Sequence, residues 1–467
     1  MTSEPAEELA RSHRAFIVAA AGCGKTETVA RAAGIYSSGR QLVLTHTHAG
    51  VKALKDRLVR VNADKGRVHV DTIAGFAVRY AASFPKRSEL PSPQPSTTAE
   101  WSATYDAARR VLESSFGRTV LEESYTGLFV DEYQDCIEPQ HQLVLTIAQT
   151  LPCRVVLDPL QGIFGWAGPL VSCDRDLAPS FDRLPDLLTP HRWRPVNPEL
   201  GEWLTEVRGH LLAGRPVDLA NAPIRRGGTD VQSQSRECME VARATGSAVA
   251  IAKWPSECHA IARRLMGRYT VMEPVECPDL MEWATQLGTS TGFMRAGVLI
   301  EFAATCMTEV GTALRTASAT FGAGHPVVLR ANTANRSVVE ALNALALDGC
   351  MPSIGAAMRQ IEAMPGVVLH RRELWSEMKR AVAACPPLPL TSLRDAAWRV
   401  RDSGRNGGRR VELRTVSRTV LVKGLEFDRA IVLNADGLDK RNLYVAITRG
   451  SKSLSVLAGG DVLRPVN

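Results

Sequence analysis

Lys25 and Thr26 close the run "AAAGCGKTE" at residues 19–27. Gly22 and Gly24 free the backbone there to curl, so that successive N–H groups aim inward at an anion. A helix starting at Lys25 adds the partial positive charge of its N-terminus. The Lys25 ammonium is spaced to reach outer phosphates, and the Thr26 hydroxyl to ligate Mg²⁺. Ala19 stands where the strict pattern G-x-x-x-x-G-K-[ST] has its first glycine. A glycine-rich turn with no ligand is the plainer reading, but strand, loop, Lys-Thr and helix in that order favour a phosphate cradle.

The stretch "GLFVDEYQD" at residues 127–135 runs an apolar strand, Leu128-Phe129-Val130, straight into Asp131, Glu132 and Asp135. Negative charge at the end of a buried strand is costly unless a cation or a hydrogen-bond network receives it. A solvated acidic turn would answer that cost, and so would a metal-and-water site. The cradle favours the second: Asp131 for the Mg²⁺, through a water, and Glu132 as the base. Asp135 stays open between a helix N-cap and a polar link to the next segment.

Further along, "VVLDPLQGIFGW" (155–166) ends a strand in Asp158 and Gln161, the latter either a γ-phosphate contact or a cap. "HRWRP" sets Trp193 beside Arg194, an aromatic plane next to a phosphate-seeking fork. "VKGLEFD" (422–428) and "YVAITRG" (444–450) add Lys423, Glu426 and Arg449. Arg449, between an apolar run and a glycine, reads as an aimed side chain that stabilises charge on a transferred phosphoryl.

The elements that must carry these groups follow from periodicity. Over residues 14–150, strand-like and helical stretches alternate, which argues for a parallel sheet flanked by helices. Pro/Ser-rich residues 84–100 read as a surface insertion leading into a short helix at 100–116. A second α/β stretch has strands near "AVAIAK" and "YTVMEPV". Residues 285–400 read as mostly helical with Pro and Gly breaks, "PPLPL" among them, and strands return at "RRVELRTVSRT" and "DRAIVLNAD".

With 467 residues the chain exceeds one ordinary core, so two or more domains are expected. A net charge of +7 mildly favours an anionic partner. The 10 cysteines are scattered without a C-x-x-C pair, which predicts free thiols rather than a disulfide framework or structural zinc. The polar N-terminus is unlike a signal peptide, and no run of eighteen apolar residues occurs, so the protein is expected to be cytoplasmic with no membrane span.

Together these residues resemble the UvrD/Rep/PcrA-like family of superfamily 1 DNA helicases, as a short member. "AAAGCGKT", "LTHTHAGVKALKDRL", "DTIAGFA", "VDEYQD", "VVLDPLQGIFGWAG", "HRWRP", "VKGLEFD" and "NLYVAITRG" follow one another in the family's motif order across residues 19–450. The resemblance implies an α/β fold of two RecA-like P-loop NTPase domains with mostly helical insertions. Domain 1A would span 1–77 and 118–190, and a small 1B-like insertion 78–117. Domain 2A would span 191–284 and 404–467, and a 2B-like insertion 285–403.

It also implies ATP and Mg²⁺ as the groups bound. Ala21, Gly22, Cys23, Gly24, Lys25, Thr26 and Glu27 would hold the nucleotide, with Thr26 and Asp131 on the metal. Glu132 would be the base, Gln161 and Arg194 would sense the γ-phosphate, and Arg449 would be the finger. Trp193 would stack on adenine and Glu426 would meet the ribose. His46, Thr72, Phe164 and Trp166 would contact DNA, the aromatics by base stacking. Departures fall mostly on the DNA side: His46 replaces an aromatic, Ile73-Ala74 a Phe-His pair, Ala167 an arginine and Val420 a histidine. No glutamine precedes the cradle to read adenine.

The activity this implies is ATP-dependent movement along single-stranded or tailed DNA, 3′ to 5′, in DNA repair or antiviral defence. A competing reading is a nucleotide-gated sensor subunit that barely unwinds and signals to a partner nuclease, as in some anti-phage systems. A small-molecule P-loop kinase leaves Trp166, Trp193 and Arg449 unexplained.

Overall fold

The computed structural model describes residues 4–466 apart from 65, 91, 93, 94, 96, 275, 386–391 and 408–410. The proline-rich break at 386–390, part of the Pro/Ser-rich run 84–100 and the start of the "RRVELRTVSRT" strand lie outside the described residues. The N-terminal sheet contains β1 (Arg14–Val18), β2 (Gln41–Thr45), β3 (Val68–Thr72), β4 (Gly127–Val130), β5 (Cys153–Leu157) and β6 (Asp182–Arg183). Its order is β3-β2-β4-β5-β1-β6, with every pairing parallel.

These central strands read as unbroken apolar runs because both faces are covered. Phe16, Val18, Leu42, Leu44, Leu128 and Val130 enter the core on one side. Ile17, Val43, Phe129 and Val156 enter the core on the other. The strand period of two thus feeds two cores at once.

In the second half, β7 (Val217–Asp218) precedes a second sheet of β8 (Arg225–Gly227), β9 (Ala248–Ala252), β10 (Thr270–Val271), β11 (Arg414–Arg418), β12 (Phe427–Val432) and β13 (Gly450–Leu457). Its order is β10-β11-β9-β12-β13-β8, again all parallel. A last strand, β14 (Val462–Leu463), pairs antiparallel with β7. The two six-stranded parallel sheets with covering helices are two RecA-like α/β domains.

Two boundaries depart from expectation. Segment 78–117 is no separate insertion: Tyr105, Ala108 and Leu112 of helix Thr98–Leu112 share one core with Phe76, Leu128 and Leu143. The helical unit also begins ahead of residue 285. Leu280, Ala284 and Leu287 of helix Pro278–Thr289 pack into the same core as Phe302, Leu342 and Trp375.

Charge joins this helical unit to the second sheet. Buried Arg371 donates twice to buried Glu273, both at 2.7 Å, and once to Asp279. Arg401 bonds Glu377 at 2.6 Å and Glu373 at 2.9 Å within the helical unit, and reaches across to the Pro274 carbonyl just after β10. Glu273 follows β10, while Arg371 opens helix Arg372–Ala384. Two-pronged guanidinium–carboxylate contacts of this kind fix orientation as well as distance.

Candidate nucleotide site and interdomain cleft

The loop after β1 turns on Gly22 and Gly24, at φ of +69° and +88°. A Cβ on Gly22 would lie 2.5 Å from the Trp193 ring, so this position needs glycine for space as well as for backbone angle. Helix Lys25–Arg31 starts directly after Gly24 and points its N-terminus into the loop. Lys25 is buried, with Glu132 at 3.9 Å as its ion-pair partner.

β5 lies between β1 and β4, so the strand carrying Asp131 is one removed from the cradle strand rather than beside it. The acid still reaches the cradle: the Thr26 hydroxyl donates to Asp131 at 3.0 Å. The intervening strand places Gln161 close behind the cradle. Its amide donates to Asp158 at 2.8 Å, and Gln134 accepts from the Asp158 N–H at 2.9 Å while donating to Glu132.

Glu132 sits in the left-handed region at φ +58°, an angle a bulky residue adopts at a cost. Asp131 and Glu132 titrate as a pair. Burial and the neighbouring Glu132 raise the Asp131 carboxyl, whereas Lys25 and Lys423 overcome burial and lower that of Glu132. The pair thus keeps its negative charge on Glu132, while Asp131 holds a proton that a bound cation would displace.

A cleft of about 1800 Å³ runs between the two domains and on towards the helical unit. Gly22, Lys25, Asp131, Glu132, Gln161, Glu426 and Arg449 all line it. Arg449 is buried, and its guanidinium donates to the Val445 and Leu425 carbonyls and the Thr448 hydroxyl, with no carboxylate within ion-pair distance among the described residues. Burial, with Arg192 adding to it, lowers its pKa to about 10, so it remains a cation at neutral pH. A desolvated cation held by neutral acceptors is matched to an anionic ligand.

Several expected side chains have other work. Trp193 is buried among Leu200, Leu204 and Tyr444, and its indole N–H donates to the Gly450 carbonyl at 2.8 Å. It wedges the domains together and offers no face to adenine. Arg194 is exposed, its side chain makes no hydrogen bond or ion pair among the described residues, and it lies outside the cleft. The turn at 190–196 sends Arg192 inward instead, to the Thr448 carbonyl at 2.7 Å and to Glu426 at 2.5 Å. Thr72 is buried and accepts from the Gly75 N–H at 2.8 Å as the N-cap of helix Ile73–Ser83. It is a capping residue, away from the cleft.

Phe164, Trp166 and His46 do line the cleft. Trp166 is 79% exposed and meets Phe164 edge-on at 6.4 Å. The His46 ring contacts the Cys136 thiol at 3.4 Å, and burial, reinforced by Lys423, lowers its pKa to about 3. Glu27 bonds Arg57 at 3.0 Å on the cleft wall. The Cys23 thiol is pushed up to about 11 by burial, and the Ala21 N–H donates to the Tyr444 hydroxyl at 3.1 Å. Asp135 resolves as an interdomain link: it accepts from Lys423, and burial raises its carboxyl to about 6 against that pull. Arg192 and Tyr444 carry the domain contact without having been singled out from sequence, and Asp135 and Lys423 were named there but not as partners, since each contact joins segments hundreds of positions apart.

Residues 3–165 match a family model described as an AAA domain. No curated protein matches the chain. Among solved structures, a Pif1 helicase from Candida albicans matches at 10% identity and a TM-score of 0.38, with 98% of this chain and 94% of that chain covered. A Pif1 helicase from Bacteroides, in complex with ADP-AlF3 and ssDNA, matches at 10% identity and a TM-score of 0.39, with 100% of this chain and 95% of that chain covered.

Proposed function

We propose that this chain is an ATP-driven motor of UvrD type that moves 3′ to 5′ along single-stranded DNA, with helicase activity on tailed duplexes. One observation carries the reading: Lys25 of the first domain and Arg449 of the second line a single cleft, with Glu132 between their fields. The donor set suits a nucleoside triphosphate with Mg²⁺. Thr26 and Asp131, already in contact, would hold the ion, which when bound supplies positive charge against phosphate oxygens. Lys25 and the helix N-terminus bind outer phosphates, Glu132 orients and deprotonates a water, and Arg449 meets the charge that develops. Arg192, which lines the cleft, would take the phosphate-sensing role expected of Arg194. Phe164 and Trp166 supply stacking faces that accept any base, which suits a motor indifferent to sequence.

ATP hydrolysis measured against single-stranded, duplex and tailed DNA and RNA tests this. Single-stranded DNA is expected to raise the rate, and Lys25→Ala and Glu132→Gln to abolish it. A rate indifferent to every nucleic acid would remove the motor. A second reading, a sensor subunit that signals to a partner nuclease, draws support from Thr72, which is committed to capping and leaves the DNA-side set thin. Strand displacement by the isolated protein separates the two: robust unwinding excludes the sensor.

A further inference from the structure

The ammonium of Lys423 holds three groups that belong to different tasks. It donates to the Asp135 carboxylate and, at 2.5 Å, to the Gln161 carbonyl, and it lies 5.1 Å from the centroid of the Phe164 ring. Its side chain is 7% exposed and that of Asp135 is 1% exposed. Lys423 itself belongs to the second domain, just after the turn Thr419–Val422 that follows β11. A buried ammonium that loses a partner is strongly penalised, so its position is dictated by whichever partners stay in place.

Behind Gln161 runs an unbroken set of hydrogen bonds to the general base. The Gln161 amide donates to Asp158, the Asp158 N–H donates to Gln134, and Gln134 donates to Glu132. Beyond Lys423 on the other side stand Phe164 and exposed Trp166. If Gln161 turns its amide towards a γ-phosphate, it must release Asp158. Lys423 is bonded to the main-chain carbonyl of the same residue, so the ammonium follows when the short Pro159–Gln161 turn that carries the amide moves with it. The aromatic face over which that ammonium rests then changes place or charge environment.

Resting on the motor reading above, we propose that Lys423 is the positioning residue that couples nucleotide state to the grip on the nucleic-acid strand. Coupling of this kind is reciprocal: the factor by which nucleotide changes strand affinity equals the factor by which strand changes nucleotide affinity. A residue that only stabilises the fold has no reason to set that factor.

The test uses the full chain, a fluorescent oligo(dT) and ADP with aluminium fluoride, each titrated alone and in the presence of the other. The wild type is expected to show a mutual factor of about 10-fold or more, equal in both directions. Lys423→Met should bring both factors close to one, and Lys423→Arg, which keeps the charge, should restore most of the effect. Should Lys423→Met lose its cooperative thermal transition, Asp135→Asn serves in its place, with the factor expected to fall about 3-fold. A wild-type factor that persists in Lys423→Met, or in Asp135→Asn where that variant is used, overturns the coupling while leaving the motor standing. So does a wild type that binds both ligands independently. A wild type that binds neither ligand overturns the motor and the coupling with it.

Discussion

At the scale of single residues, the site separates groups that act on a ligand from groups that hold those groups still. Glu132 is pulled two ways, by burial and by Lys25 and Lys423, and remains the anion of its pair. Its replacement by glutamine keeps the shape and the bond to Gln134 but removes the base. The turnover rate should fall by about 10²-fold or more in a steady-state ATPase assay, with nucleotide affinity retained. Trp166 offers the contrasting case. Trp166→Ala should weaken oligo(dT) binding by about 5- to 150-fold, the equivalent of one lost stack, while leaving nucleotide affinity unchanged in titration. Equal weakening for both ligands would mean that the ring supports the cleft wall instead. Trp193 shows how an aromatic in a promising neighbourhood misleads: stacking on a base and packing under a glycine loop both ask for a flat ring. The 2.5 Å approach to the place of a Gly22 Cβ, with the ring's burial and its bond to Gly450, distinguishes them.

Among elements, strands were the most readable because both sheets are covered on both sides, leaving runs such as Leu128-Phe129-Val130 with no polar interruption. The cradle was equally readable, since strand, turn and helix are contiguous in the chain. What stayed hidden depends on the packing of distant segments. Helix Thr98–Leu112 follows a Pro/Ser-rich run and so looked like an excursion, although Tyr105, Ala108 and Leu112 at helical spacing already marked a buried stripe. Thr72 carried its own signal, a threonine immediately before an apolar helix, which is an N-cap position first. Thr72→Ala should therefore cost about 1 kcal/mol in urea unfolding and leave oligo(dT) affinity where it was. Trp193→Ala, which removes the wedge between domains, should cost about 3–5 kcal/mol in the same assay.

For the molecule as a whole, stability should respond to acid through histidines that the fold keeps neutral. The His370 ring is fully buried with no hydrogen-bond partner for either nitrogen among the described residues, and burial, helped by Arg263, Arg371 and His259, lowers its pKa to about 4. The unfolded chain protonates near 6.5 and the folded chain does not, so stability falls as pH drops from 6.5 towards 4. His370→Leu escapes that penalty. Relative to wild type it should gain about 2 kcal/mol on going from pH 7 to pH 5 in urea melts, and a pH-independent difference would show that the ring ionises in place. The contacts of Arg371 with Glu273 and of Arg401 with the Pro274 carbonyl have a mechanical corollary. They rivet the all-helical body to the C-terminal sheet, so the protein should possess one working joint and not two. Probes at residues 254 and 347 should keep a constant separation throughout turnover, while probes at residues 166 and 254 should report a stroke.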